Sequence, residues 1–296
     1  MGDVAWIAVD WGTSHLRAWL MGRDSTVLDR RSSADGMGGL DRNGFEPALR
    51  ALVGDALPVP VLACGMVGSR QGWAEAPYAT VPCAAPTIHT AVSVPGTDLD
   101  VRVLPGVKQD NPADVMRGEE TQIAGFIARN PGFDGIICLP GTHTKWVHTS
   151  AGEIVSFRTA MTGEMFALLS QQSVLRHSMG QGWDAEAFAT GVDQTLSRPE
   201  TLAASLFSLR AEGLLTALPG DAARARLSGL LIGAELASMR PYWLGQAVAL
   251  VGAKALSAAY ATALSAQGVP TQMADAEDMT LAGLTAAYAQ LQGEAA

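Results

Sequence analysis

Two stretches of this chain open in the same way, and that repetition constrains the fold more than any other feature. Each starts with an apolar run, residues 4–9 in one and 135–139 in the other. Each run ends in a turn of glycine and hydroxyl residues: Asp10-Trp11-Gly12-Thr13-Ser14 in the first, Pro140-Gly141-Thr142-His143-Thr144-Lys145 in the second. Two further strand-like runs follow each turn, 15–20 and 25–30, then 145–149 and 154–158. In the first copy Phe45, Leu49, Leu52 and Val53 recur at helical spacing over 43–57. Pro58-Val59-Pro60 then stops that helix before a short buried strand at 61–64. A repeated β-β-β-α order predicts an α/β protein of two similar lobes, residues 1–133 and 134–296, each built on a mixed sheet, with a cleft between them.

The rest of the chain fits around this frame. Residues 65–105 are rich in Gly and Pro and carry Arg70, Trp73 and Tyr78, and so long an irregular stretch inside a compact domain points to function. A strand is expected at 101–104 and a helix at 116–129. After the second strand unit come helices at 163–175, 184–190, 201–217 and 222–239, a strand at 247–251, a helix ending at 264 and a last helix at 278–292.

Composition excludes several classes of function. With 20 Lys plus Arg against 29 Asp plus Glu, the net charge of -9 provides no positive field for a phosphate backbone, which argues against nucleic acid as a partner. Cys64, Cys83 and Cys138 form neither a C-x-x-C pair nor an even disulfide framework, so reduced thiols in a cytoplasm are expected. The start of the chain lacks a basic segment and carries Asp3 and Asp10, unlike a signal peptide. No apolar stretch reaches the roughly 20 clean residues of a membrane span. The P-loop pattern, the dinucleotide fingerprint, metal-ligand spacing and the G-x-S-x-G elbow are all missing, and Gly36-Met37-Gly38-Gly39 does not have the fingerprint's spacing.

What remains is the pair of turns. A glycine beside two hydroxyls offers backbone and side-chain donors to phosphate oxygens, and Asp10 adds a carboxylate suited to a hydrated Mg²⁺. Taken alone, the Asp10 turn also reads as an ordinary hairpin, and Lys145 as a solvated strand residue. Two such turns opening two similar lobes make the stronger signal, a pair of phosphate loops.

The segments 8–14, 65–73 (Gly-Met-Val-Gly-Ser-Arg-Gln-Gly-Trp), 114–122 (Asp-Val-Met-Arg-Gly-Glu-Glu-Thr-Gln), 139–146 and 159–164 (Thr-Ala-Met-Thr-Gly-Glu) together resemble the 2-dehydro-3-deoxygalactonokinases across essentially the whole chain. Val251-Gly252-Ala253-Lys254 resembles the adenosine motif of the actin-like ATPase and sugar kinase superfamily to which they belong. The resemblance implies two actin-like (ribonuclease H-like) lobes with an ATP cleft, and transfer of phosphate from ATP to the 6-hydroxyl of 2-dehydro-3-deoxy-D-galactonate. It implies Asp10, Gly12, Thr13 and Ser14 at the phosphates and Mg²⁺. Gly141, Thr142, Thr144 and Lys145 would form the second phosphate loop, and Gly252 and Ala253 would lie at the adenosine. Arg70, Gln71, Trp73, Arg117, Thr162 and Glu164 would lie at the sugar acid.

Related sugar kinases open a helix with an aspartate base, whereas this chain offers Gly118-Glu119-Glu120. A helix N-terminus favours ionised carboxylates, so either glutamate can accept a proton, and at least one is also explained as a helix cap. A guanidinium fork suits a carboxylate substrate, and the arginines could instead pair with Glu75 or Asp114 on the surface. A polyphosphate hydrolase of the same fold, a kinase for another acidic sugar such as 2-dehydro-3-deoxygluconate, and an actin-like ATP-driven binding protein stay open as alternatives. The partners expected are a small acidic sugar and a second copy in a homodimer, with neither nucleic acid nor membrane.

Overall fold

The computed structural model describes residues 3–294, with side chains to residue 290. Residues 1, 2, 295 and 296, at the outer ends of the two expected lobes, lie outside the described residues. The chain forms two compact units. The first takes in the described residues up to Asp134, Thr149–Ser156 and those from Ala274 onward; the second is Gly135–His148 with Phe157–Met273.

In the first unit β1 (Trp6–Trp11) pairs antiparallel with β2 (Leu16–Met21), which pairs with β3 (Val27–Ser33). Helix α1 (Phe45–Val53) leads to β4 (Val61–Gly65), parallel to β1. The segment expected to be irregular contains three two-residue strands, β5 (Ala79–Thr80), β6 (Cys83–Ala84) and β7 (Val92–Ser93), and then β8 (Val101–Val103). The sheet order is β3-β2-β1-β4-β8-β7. Alternate residues of β1 face opposite ways. Ile7, Val9 and Trp11 pack with Phe45, Leu49 and Val53 of α1.

A short hairpin, β9 (Val107–Asp110) and β10 (Ala113–Met116), comes before α2 (Glu119–Arg129). The sequence predicts a helix from 116. The helix instead begins at Glu119, because Met116 still pairs with Val107 and Gly118 takes φ +109, a left-handed conformation that costs a side-chain-bearing residue and separates strand from helix.

The second unit begins with β11 (Gly135–Leu139), β12 (Thr144–Ser150) and β13 (Glu153–Ala160), the tip of the β12–β13 hairpin belonging to the first unit. Helices α3 (Thr162–Gln171), α4 (Ala185–Ser197), α5 (Leu202–Leu215), α6 (Gly220–Ser238) and α7 (Arg240–Trp243) follow. The chain continues through β14 (Val248–Gly252), α8 (Lys254–Ser265) and β15 (Thr271–Asp275) to α9 (Ala276–Glu294). Helix α4 runs seven residues past the expected end at 190, its start capped by the Asp184 carboxylate accepting the N–H groups of Glu186 and Ala187. Strands β9, β10 and β15 were not expected from the sequence.

The second sheet runs β15-β14-β11-β12-β13-β6. Its order β13-β12-β11-β14-β15 repeats β3-β2-β1-β4-β8, and β11 is parallel to β14 as β1 is to β4. The duplicated α/β architecture read from the sequence is therefore present.

Helix α9 packs in the first unit, although the sequence reading assigned it to residues 134–296. A Cβ on Gly125 of α2 would strike the Met279 carbonyl, and one on Gly283 of α9 would strike that of Thr121, so the two glycines let the helices touch backbone to backbone. Leu281, Leu284 and Ala287 then cover Trp6, Ala8 and Trp19, and Tyr288 stacks on Trp6 with ring centroids 4.1 Å apart. Among the described residues no helix is long and apolar enough to cross a membrane.

Candidate active site

In the first unit three pieces of backbone bring carboxylates together: the end of β1, the end of β4 and the start of α2. Asp10 stands opposite Arg17 in the β1–β2 register, and Arg17 Nη1 donates to Asp10 Oδ2 at 3.0 Å. Burial raises the Asp10 carboxyl above its ordinary value, opposed by the Arg17 charge. Asp10 is also level with Cys64 on β4. Burial pushes the Cys64 thiol well up, and the charges of Asp10 and Glu120 push it further. A Cβ on Gly118 would come within 3.5 Å of the Gly65 Cα, so the start of α2 meets the end of β4.

The turn after Asp10 is held from behind. Met37 N–H donates to Gly12 O at 3.0 Å, Gly38 N–H to Thr13 O at 2.9 Å, and the Trp11 indole to Asp35 O at 2.8 Å. Thr13 and Ser14 are exposed. The Gly36-Met37-Gly38-Gly39 segment, which fits no nucleotide motif, thus buttresses this turn, and its glycines were the signal that a backbone packs closely there.

Glu119 and Glu120 both fold back onto the backbone that precedes them. Glu119 accepts the N–H of Arg117 at 3.0 Å, and Glu120 accepts that of Gly118 at 2.8 and 2.7 Å. Glu120 has no exposed surface, and burial, with the nearby Glu119 charge, raises its pKa to about 7. Glu119 is half-buried.

The expected sugar-acid residues separate into different environments. Arg70 is exposed and pairs loosely with Glu75 at 3.6 Å, the surface arrangement left open by the sequence; Gln71 beside it is exposed too. Trp73 is not an open wall: it packs into the core against Trp11 and Phe45, with centroids 6.0 and 6.2 Å away. Arg117 lies over the Tyr78 ring at 4.3 Å and donates from Nη2 to Ala76 O at 2.8 Å, while its Nε and Nη1 are buried without an acceptor among the described residues. Thr162 and Glu164 lie in the second unit, beside the turn at 140–145. Thr142 O accepts the Glu164 N–H at 2.9 Å, and the Glu164 carboxylate meets His143 Nε2 at 2.6 Å.

That second turn borders a cavity of about 710 Å³ lined by Gly141, Thr142, Thr162, Phe166, Trp183 and Ala253, among others. Gly252 ends β14, where a Cβ would come within 3.2 Å of Pro140 O. Two members of the expected loop face away from solvent. Thr144 is fully buried, its hydroxyl 3.0 Å from that of Tyr260, and Lys145 is buried and donates to the Thr159 hydroxyl at 2.9 Å. Both begin β12, whose side chains are buried on either face over its first residues, so neither an exposed phosphate ligand nor a solvated lysine results. Sequence reasoning missed Arg17, Tyr260 and Glu235. Nothing in the local pattern marks Glu235, which sits inside an Ala- and Leu-rich helix.

Two sheets repeating one strand order, each with a glycine turn after its first strand, define an actin-like ATPase and sugar kinase fold. Component A of (R)-2-hydroxyglutaryl-CoA dehydratase from Acidaminococcus fermentans shares the fold at a TM-score of 0.55 and 13% identity, over 96% of this chain and 97% of that one. Within this class, the model of the 2-keto-3-deoxy-galactonokinase family matches residues 10–287, and the chain belongs to that family. The 2-dehydro-3-deoxygalactonokinase of Escherichia coli (strain K12) is 40% identical over 274 residues, 89% of this chain and 90% of its own. A crystal structure from Sinorhizobium meliloti, assigned as a 2-dehydro-3-deoxygalactonokinase, matches with a TM-score of 0.89 and 38% identity, over 97% of this chain and 99% of that one.

Proposed function

We propose that the chain transfers the γ-phosphoryl group of ATP to the 6-hydroxyl of 2-dehydro-3-deoxy-D-galactonate, giving the 6-phosphate and ADP, as a cytoplasmic step of galactonate catabolism. The activity named for the Escherichia coli relative supports this reading, and so do three free cysteines. The observation that carries it is Arg117. A guanidinium buried with no acceptor for Nε and Nη1 among the described residues calls for one, and a substrate carboxylate would supply it. Arg117 stands two residues before Glu119, so a sugar acid anchored there would have a proton acceptor close by.

In this reading Gly12, Thr13 and Ser14 hold phosphate oxygens, and Gly141 and Thr142 are a second set of phosphate ligands. The 710 Å³ cavity beside Ala253 takes the nucleoside. Magnesium fits the donor set: Asp10 is a single carboxylate beside exposed hydroxyls, and Mg²⁺ bound with a nucleotide takes one or two protein carboxylates and fills its remaining positions from phosphates and water. Asp10 would hold it, and when bound it would supply neutralisation of the charge on the transferring group. Arg17 opposes the burial that raises the Asp10 carboxyl. Glu119, half-buried, accepts the proton of the attacking hydroxyl; Glu120, wholly buried, fixes the start of the helix.

Phosphorus NMR of the product tests the reading. A phosphomonoester on C6 of the sugar acid is expected, and inorganic phosphate in its place would mean that water is the acceptor and the chain is a hydrolase.

A further inference from the structure

Below the cavity of the second unit lies a carboxylate that the proposed reaction does not use. Glu235, in the last turn of α6, is 5% exposed and accepts three hydrogen bonds. The Trp146 indole N–H donates to Oε1 at 2.7 Å, and the hydroxyls of Thr162 and Tyr260 both donate to Oε2, Tyr260 at 2.8 Å. Burial raises the Glu235 carboxyl, and these three hydrogen bonds hold it down.

The direction of these bonds has a chemical result. Tyrosine has one hydroxyl proton, and Tyr260 gives it to Glu235. The 3.0 Å contact between Thr144 and Tyr260 is then a bond donated by Thr144. Thr162 has likewise given its only proton to Glu235. Thr162 and Tyr260 both line the cavity, and neither has a proton left for anything bound in it. What these side chains can offer a ligand is oxygen lone pairs and carbon. A phosphate oxygen carries no proton and would find no donor in these two side chains, whereas a ribose hydroxyl or an exocyclic amine is a donor and would be accepted by them.

We infer that Glu235 is a positioning residue that draws the hydroxyl protons of Thr162, Tyr260 and, through Tyr260, Thr144 away from the cavity, so that this wall accepts the nucleoside and rejects the phosphates. The inference rests on the reading of this cavity as a nucleoside site and adds its polarity. It also removes Thr144 from the set of phosphate donors and leaves that task in the second unit to the backbone around Gly141 and Thr142.

The test is calorimetric binding of two probes, adenosine and inorganic tripolyphosphate, to the intact protein and to two variants. Glu235→Gln replaces an acceptor with a group that also donates, which frees a hydroxyl proton to turn to the cavity. Adenosine should bind roughly fivefold more weakly, with tripolyphosphate unchanged or tighter. Thr162→Val, nearly isosteric, should leave tripolyphosphate within about twofold. The Trp146 indole N–H resonance serves as the marker of a native fold. A roughly fivefold loss of tripolyphosphate in Thr162→Val, or unchanged adenosine binding in Glu235→Gln, would overturn the polarity and leave the nucleoside site standing. Unmodified protein that binds tripolyphosphate and not adenosine would overturn the nucleoside site itself.

Discussion

The carboxylate of Glu120 closes back on the N–H of Gly118, two residues earlier, with both oxygens at 2.8 and 2.7 Å, and so occupies a place with no exposed surface. Burial then outweighs the backbone hydrogen bonds and lifts its pKa from 4.5 to about 7. Between these values the folded chain binds a proton that the unfolded chain has released. Stability therefore falls as pH rises from about 4.5 to 7, and levels off above the folded value. The shift corresponds to about 3 kcal/mol at most. Urea denaturation between pH 4.5 and 8 should show this decline in the native chain and a flatter profile in Glu120→Gln; identical profiles would show that Glu120 is ionised throughout.

Glu119 and Glu120 differ in access, and this separates their roles. Glu119→Gln should lower kcat by roughly 10² to 10⁴ while the affinity for ATP changes little, since the nucleotide is held elsewhere. Glu120→Gln should act mainly on stability, with a loss of kcat under about tenfold. The reverse order in steady-state kinetics would make Glu120 the base.

Arg117→Lys should raise KM for the sugar acid by roughly tenfold to a hundredfold, because an ammonium cannot reproduce the directed planar donors of a guanidinium facing a carboxylate. Arg70→Lys should change it by less than about threefold, since Arg70 is 82% exposed at its side chain and pairs loosely with Glu75. Equal effects of Arg117→Lys on acidic and neutral acceptors would mark Arg117 as a packing residue.

Asp10→Asn should lower kcat by at least about a hundredfold with the fold intact, through loss of the charge that orients Mg²⁺. Arg17→Gln should cost at most about 1 kcal/mol of stability, the pair being partly open to solvent. Wild-type turnover by Asp10→Asn at low Mg²⁺ would remove Asp10 from the site.

The duplicated strand order was legible because strand alternation and turn residues are local: 4–9, 15–20 and 135–139 each declare themselves without help from distant residues. The placement of α9 was not, since Leu281, Leu284 and Ala287 are apolar whichever sheet they cover, and only the facing glycines Gly125 and Gly283 show the pairing. The candidate site divides along the same line. Asp10, Gly118, Glu119 and Glu120 are marked by their turns and by a helix start. Which arginine is buried depends on Tyr78 and Gly68 folding against Arg117, and the Glu235 network joins residues from 144 to 260. Contacts over such separations leave no periodic trace in a sequence.

The most direct measurement is ADP release by the purified chain, with ATP and Mg²⁺, offered 2-dehydro-3-deoxy-D-galactonate, 2-dehydro-3-deoxy-D-gluconate, a neutral sugar of the same length, or water alone. The expected result is release that depends on the acceptor, is fastest with the galactonate derivative and falls at least about tenfold with the neutral sugar. Release at the same rate with water alone would contradict it.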